Sequence, residues 1–572
     1  MFPSARGAKP VMHVAECDAK GWWECTVAEA APGTLYQWRI DGELYVPDPA
    51  SRQNPMGVFS PSAVVDATQF EWDNAWHGRP WSEVVLYELH VGAFTREGTF
   101  MAACERLQSL ARLGVTAIEL MPVADFPGRF GWGYDGVLPF APHGAYGTPD
   151  ELKHLVQEAH RLGLMVFMDV VYNHFGPSGN FLGRYAPQFF SQAHPSPWGA
   201  AINFDGAASS VVREFFVHNA LYWIHEYRID GLRLDAVHAI VDKGKPHILE
   251  EISLAVRESA PDRHVHLVLE NEDNNHERLS PGPTAGLYDG QWNDDFHHVL
   301  HVALTGETQR YYFDYGSKPL SQLARCLTHG MLYETSPRRE GGARIHPREA
   351  PPQLLGALVN FAQNHDQTGN RPFGERLRKL VAPGAAPIAT LLALLTPSIP
   401  MLFMGEESGS TTPFLYFADW DGDLRDAVRE GRKREFGFQA QALPDPCDEK
   451  TFEATHPDDA QRDSEEGRRW LEWVRQALEV RKTHIAPRHH LLSQGQHTAH
   501  RIGESGIHVC WRYDDGEAIV LQVNLGAVPL VVNERLPEIN GAVEIFAHAW
   551  PLGTPDDTWP AWSARWLMGT LA

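Results

Sequence analysis

Eight short apolar runs recur between residues 84 and 404, at 84–91, 117–121, 165–171, 231–235, 266–270, 290–294, 358–364 and 400–404. Each has the length of a strand, and strands that read as nearly continuous apolar runs belong to parallel sheets covered on both faces. Amphipathic helical segments fit between several of them, at 99–113, 148–162 and 210–226. Eight strands alternating with helices predict an α/β fold whose sheet closes on itself as a (β/α)₈ TIM barrel.

A chain of 572 residues exceeds what one hydrophobic core sustains, so flanking domains are expected. Before the barrel, Tyr36, Trp38 and Ile40 alternate with polar partners, and Asp41-Gly42 marks a hairpin. Trp72, Trp76 and Trp81 are expected to pack this part against the barrel. After the barrel, Leu471, Val474 and Leu478 fall at helical spacing, and strand patterns return at 507–513 and 518–524 around an Asp514-Asp515-Gly516 turn. The predicted order is an N-terminal β-sandwich over residues 1–80, the barrel over 81–485 and a C-terminal β-sandwich over 486–572. The acidic tract 419–435 reads as a solvated surface segment.

A formal net charge of −24 repels nucleic-acid backbones and anionic membranes at long range, so neither is expected as a partner. The six cysteines show neither CxxC pairs nor Cys/His metal spacing, which points to a reducing compartment. The N-terminus lacks a continuous apolar signal region, and the most apolar stretch, 385–404, is broken by Pro387, Pro397 and Pro400. A soluble cytoplasmic protein is expected.

In a barrel of this kind the site is built at the C-terminal ends of the strands. Polar residues follow the apolar runs there: Asp169 to His174 at the third, Arg233, Asp235 and His238 at the fourth, Glu270 and Glu272 at the fifth, His365 and Asp366 at the seventh. Asp235, Glu270 and Asp366 thereby converge on one mouth and supply the carboxylates that glycosidic cleavage requires. Arg233, two residues before Asp235 on a strand, points to the same side and is expected to hold Asp235 ionised as the nucleophile. Glu270, with Glu272 and other carboxylates nearby, is expected to be pushed toward its protonated form, as a general acid/base needs. Asp366, His174, His238 and His365 are placed to bond sugar hydroxyls and stabilise an oxocarbenium-like transition state. The histidines show no HxH or HExxH spacing, so no metal is expected.

The segments DVVYNH, GLRLDAVH, LVLEN and QNHD, in that order, resemble the conserved regions of the α-amylase family of glycoside hydrolases. YELHVGAFTREGTF, GWGYDGVLPFAPHGAYG, NHDQTGNR and TPFLYFAD are most similar to its maltooligosyltrehalose trehalohydrolase branch, over roughly residues 33 to 490. The resemblance implies hydrolysis of the α-1,4 bond joining an α,α-trehalose end to a maltooligosaccharide, without a cofactor, and a functional pairing with a maltooligosyltrehalose synthase. By matched position it makes Asp235 the nucleophile, Glu270 the proton donor and Asp366 the transition-state stabiliser. It brings Arg233, His238, Asn293, Asp294, His297, His365, Gln367 and Asn370 to the substrate, while Tyr134 and Asp135 shape the subsite of the glucosyl residue under attack. Two departures stand out. The N-terminal domain starts without the first strands usual in the family, so its sandwich is expected to be incomplete, and Ser408 replaces an aromatic residue expected at one wall of the trehalose-side subsite.

A glucan branching enzyme would use the same three carboxylates and differ in passing the glycosyl group to a sugar hydroxyl rather than to water. Gln367-Thr-Gly-Asn370 after the His-Asp pair favours the hydrolase. An isoamylase-like debranching enzyme competes with it more weakly, as does a glucan-binding protein that kept the fold without catalysis.

Overall fold

Eight parallel strands close into a barrel: β1 (Leu86–Leu89), β2 (Ala117–Leu120), β3 (Met165–Val170), β4 (Gly231–Leu234), β5 (His266–Leu269), β6 (Gly290–Trp292), β7 (Leu358–Phe361) and β8 (Ile399–Phe403). All eight runs read from the sequence supply one strand each. The computed structural model describes residues 10–73, 75–196, 198–279, 287–334, 348–349, 355–437, 443–493, 495–537 and 539–571.

Alternate residues of each strand face inward. At the N-terminal end of the barrel these are apolar, with Leu86, Ala117, Met165, Phe167, Val268, Trp292, Phe361 and Met401 in one buried cluster. Two residues further along, the inward positions become ionisable. Glu88 lies beside Glu119 and Asp169 beside Arg233 in the strand register. A ring of charge therefore caps an apolar plug, and it does so at the end where the loops can reach a substrate.

The helices start and stop on local chemistry. The Thr99 hydroxyl caps α1 (Phe100–Leu113), which ends on left-handed Gly114. Thr148 and Glu151 form a reciprocal capping box on α2 (Pro149–Arg161), with Pro149 in its first turn. Further along the chain come α3 (Ser209–Glu226), α4 (Asp294–Thr305), α5 (Ala385–Leu394) and α6 (Glu465–Val480). The apolar stretch 385–404 resolves into α5, with nine of its ten residues buried, and β8. No described helix is long and apolar enough to cross a membrane.

The C-terminal sheet is antiparallel, built from β9 (Thr498–Ile502), β10 (Gly506–Arg512), β11 (Glu517–Asn524), β12 (Ile539–His548) and β13 (Ser563–Leu571) in the order β9-β10-β11-β13-β12, with a two-stranded pair beside it. Two buried indoles fasten it to the helical shell: Trp511 donates to the Leu327 carbonyl at 2.8 Å and Trp566 to the Leu395 carbonyl at 3.0 Å. Buried Arg481, just past α6, donates to the carbonyls of Leu394, Thr396 and Ser398 and so fixes the link between α5 and β8. Among the described residues the N-terminal part holds three short antiparallel pairs, of two or three residues per strand. Its Asp41-Gly42 turn has positive φ at both residues, the hairpin geometry that glycine and aspartate favour. Trp76 and Trp81 then anchor the chain under the barrel, donating to Asp230 at 2.7 Å and to the Gly356 carbonyl at 2.8 Å.

Candidate active site

A cleft of about 1500 Å³ opens at the C-terminal ends of the strands. Among the residues singled out from the sequence, its lining includes Tyr134, Asp135, His174, Asp235, His238, Glu270, Asp294, His365, Asp366, Gln367 and Asn370. Arg233, Asn293 and His297 do not line it.

Arg233 lies directly beneath, fully buried, with its guanidinium 4.2 Å from the Trp292 ring centre. Its Nη1 donates to Asp169 Oδ2 at 2.6 Å and to Asp235 Oδ1 at 2.8 Å. Its Nη2 is 2.9 Å from Glu270 Oε2, an ion-pair contact that is off-line for a hydrogen bond. Three strands thus deliver three carboxyl groups to one cation. Asn173 donates to Asp235 Oδ2 at 2.9 Å, completing the grip on that side chain. The residue after Asp235, Ala236, sits in the left-handed region at φ 40°, a costly conformation for alanine that the surrounding structure imposes. That turn aims the Ala236 N–H at Glu270 Oε2, 2.7 Å away.

The same environment drives the two carboxyls apart. Burial pushes Asp235 toward protonation, but Arg233, the Asn173 hydrogen bond and nearby His174 outweigh it and hold its pKa below the ordinary carboxylate value. For Glu270 burial wins over Arg233, and repulsion from Asp235, Asp366 and Asp294 adds to it, so its pKa lies well above normal. The direction is the one expected from like charge, but burial is the larger cause. Asp294 is pushed up to about 7 by burial and then by Asp366 and Asp295, and Asp135 to about 6 by burial alone.

Around this pair, Tyr134 donates to Asp169 Oδ2 at 2.7 Å and stacks on His365, ring centres 5.1 Å apart. Asp366 accepts from Asn370 at 3.2 Å, and its Oδ1 lies 3.4 Å from His365 Nε2. Gln367 donates to Asp294 Oδ1 at 3.2 Å. His238 lies beside Glu272, accepting from its backbone N–H at 3.3 Å. His174 bonds to Asn173 and stacks on Trp198 at 5.3 Å.

Asn293 instead caps α4, accepting from the Phe296 N–H, and donates to Asn360 at 2.9 Å. His297 is buried behind the cleft, 2.8 Å from the Ala362 carbonyl and 3.2 Å from the Tyr312 hydroxyl. Its neighbour His298 takes the cleft-lining position. Ser408 is buried and bonds back to the Gly405 carbonyl, away from the cleft wall. The tract 419–435 is not wholly solvated: most of it forms the helix Gly422–Phe436, whose end contributes Arg434, Glu435 and Phe436 to the cleft. Further lining, not expected from the sequence, comes from Thr305 to Tyr312 and from Arg371 to Phe373. Trp198, Tyr311 and Phe373 present exposed rings there, 45%, 55% and 37% accessible, which suits stacking on sugar faces. The aromatic run Tyr311-Tyr312-Phe313 beyond a helix was the signal that marks this wall.

Among the described residues one cluster has metal-ligand types, His264, His266 and Asp289. It sits at the opposite end of the barrel, where β5 and β6 begin. Arg257 donates to Asp289 at 2.7 Å and already supplies the positive charge there.

Residues 63–189 match the family described as alpha amylase, catalytic domain, and residues 495–566 match a domain of unknown function, DUF3459. The malto-oligosyltrehalose trehalohydrolase of Saccharolobus solfataricus is 44% identical over 446 residues, 76% of this chain and 76% of the relative. That of Deinococcus radiodurans is 43% identical over 458 residues, 79% of this chain and 74% of the relative. A crystal structure of a putative alpha amylase from Salmonella typhimurium is 40% identical and superposes with a TM-score of 0.91, covering 97% of this chain and 94% of that one. Barrel, carboxylate mouth and this degree of identity agree, and the chain belongs to the malto-oligosyltrehalose trehalohydrolases of the α-amylase family of glycoside hydrolases.

Proposed function

We propose that this enzyme hydrolyses the α-1,4-glucosidic bond next to the trehalose end of maltooligosyltrehalose, with retention, releasing trehalose and a shortened glucan. The observation that carries the mechanism is that Asp235 and Glu270 share one buried guanidinium, at 2.8 Å and 2.9 Å, in surroundings that favour the ionised form of Asp235 and the protonated form of Glu270. Asp235 attacks the anomeric carbon while Glu270 gives its proton to the glycosidic oxygen, and trehalose leaves. Glu270, now a carboxylate, takes a proton from water as that water attacks the same carbon and frees Asp235. Asp235 and Glu270 sit on neighbouring nitrogens of one guanidinium, at 2.8 Å and 2.9 Å, a placement that suits the separation of about 5–5.5 Å of a retaining pair. Asp366 stabilises the positive charge that develops on the sugar. His174, His238, His365, Asp294, Gln367 and Asn370 hold its hydroxyls, and Tyr134 and Asp135 shape the subsite.

The chain divides into units at residues 1–80, 81–485 and 486–572, a reading supported by where barrel strands and terminal sheet begin and end. All six cysteines are free, which supports a cytoplasmic location. A maltooligosyltrehalose synthase supplies the substrate. Incubation with maltooligosyltrehalose, maltopentaose and amylose tests the function: trehalose appears from the first alone. New branch points, or equal cleavage of all three, would replace this reading with a transferase or a general amylase.

A further inference from the structure

Cleavage leaves Glu88, the buried partner of His365 in the inner ring, without a task. Glu88, inward on β1, receives two hydrogen bonds from His365, the backbone N–H at 3.1 Å and ring Nδ1 at 2.5 Å. Both side chains are 2% exposed or less. With Nδ1 taken, Nε2 is the nitrogen left near Asp366, at 3.4 Å from its Oδ1. Tyr134 stacks on the ring, and Trp132 meets it edge-on at 5.5 Å and 90°. The imidazole thus has neither rotational freedom nor a choice of which nitrogen faces the cleft.

We propose that Glu88 is a positioning residue: by binding both the backbone and Nδ1 of His365, it keeps that ring doubly protonated, with Nε2–H directed at Asp366 and at the sugar hydroxyl beside it. The proposal rests on the hydrolytic reading above. An imidazole flanked by two carboxyl groups donates to both only when it carries both protons. The surrounding charges agree. Burial disfavours the charged ring, but Asp366 and Glu88 outweigh it, against Arg233, and push its pKa up to about 9. Glu119 faces Glu88 across β1 and β2, has no hydrogen-bond partner among the described residues, and is driven well above the ordinary range by burial and by Glu88. His90, which His365 also repels, is lowered to about 4, chiefly by burial. Glu119 and His90 are therefore neutral at neutral pH, so Glu88 and Asp366 are the groups that fix the charge on His365.

Glu88→Gln keeps the shape and an acceptor oxygen but drops the charge. We expect kcat to fall roughly 10- to 100-fold, the scale of losing an orienting partner, with KM changed less than about threefold. The alkaline limb of the kcat/KM profile moves down by about one pH unit or more, and Glu88→Asp, which restores the charge, returns the limb toward wild type. In a His365→Asn background Glu88→Gln should add less than about twofold, because the residue acts through that ring. Multiplicative losses, or an unshifted limb with kcat within about twofold of wild type, would overturn the proposal. Should Glu88→Gln not fold, NMR titration of histidine-labelled wild type decides, with His365→Asn identifying the signal; deprotonation of His365 below about pH 7 refutes it. Trehalose release by the wild type tests the hydrolytic reading separately, since the ratios are taken on whichever α-1,4-glucan the wild type cleaves.

Discussion

Replacing Arg233 by lysine keeps the positive charge but removes the fork. The arginine reaches three carboxyls through two nitrogens, at 2.6 Å to Asp169, 2.8 Å to Asp235 and 2.9 Å to Glu270. A single ammonium that bridges Asp169 and Asp235 loses Glu270, and it cannot lie flat on Trp292 as the guanidinium does at 4.2 Å. A close charge pair contributes about 1.5 kcal/mol or more, so losing the Glu270 contact in the transition state lowers kcat/KM roughly 10-fold or more. Arg233→Met is the harsher change. It leaves buried carboxylates without a countercharge, at a cost of about 3–5 kcal/mol in stability, partly relieved by acid as those groups take up protons. Trehalose release and thermal unfolding at pH 5 and 8 read the two effects. Arg233→Lys within twofold of wild-type kcat/KM would mean that charge alone sets the two protonation states, and the argument from the fork would fail.

Asp235→Asn and Glu270→Gln should each lower trehalose release by roughly 10³-fold or more with unchanged circular dichroism. An α-glucosyl fluoride, whose leaving group needs no proton, separates them: Glu270→Gln keeps a fast first step on it and Asp235→Asn does not. Equal losses on the fluoride would contradict the assigned roles. Glu406 is 5% exposed, and burial pushes its pKa to about 7 against hydrogen bonds from Phe403 and Thr390. The folded state therefore keeps a proton that the unfolded chain releases near 4.5, so this contribution is full below that pH and lost as pH rises through about 7. Chemical denaturation should show Glu406→Gln flattening the loss of stability between pH 5 and 8, with a gain of about 2–3 kcal/mol at the alkaline end; identical slopes would remove that attribution. Trp198→Ala removes an exposed ring stacked on His174 and should raise KM roughly two- to tenfold at constant kcat, the scale of one lost stacking contact. A fall in kcat alone would place Trp198 elsewhere in the cycle.

The barrel was readable because its strands are buried on both faces, which turns each into a short apolar run, and because inward positions become ionisable only at the end that carries the site. Arg233 followed from strand period alone, two residues before Asp235. Helical positions were harder. Asn293, Asp294, His297 and His298 straddle the start of α4, where each residue turns about 100° from the last, and matched position does not say which of two adjacent histidines faces the cleft. Asn293 went to the helix cap for the same reason, since an asparagine before a helix satisfies a free N–H. Apart from the aromatic run Tyr311-Tyr312-Phe313, the segment 305–312 and the end of the helix Gly422–Phe436 carry no period that marks them as cleft wall. Glu88 and Glu119 were visible as charges inside apolar runs, and such residues contradict the run that contains them unless something buried needs them. For Glu88 that partner, His365, lies 277 residues away. Strand pattern therefore locates the reacting carboxyls and the Arg233 that holds them, whereas the pairing of Glu88 with His365 emerges only once the ring has closed and β1 meets the seventh-strand loop.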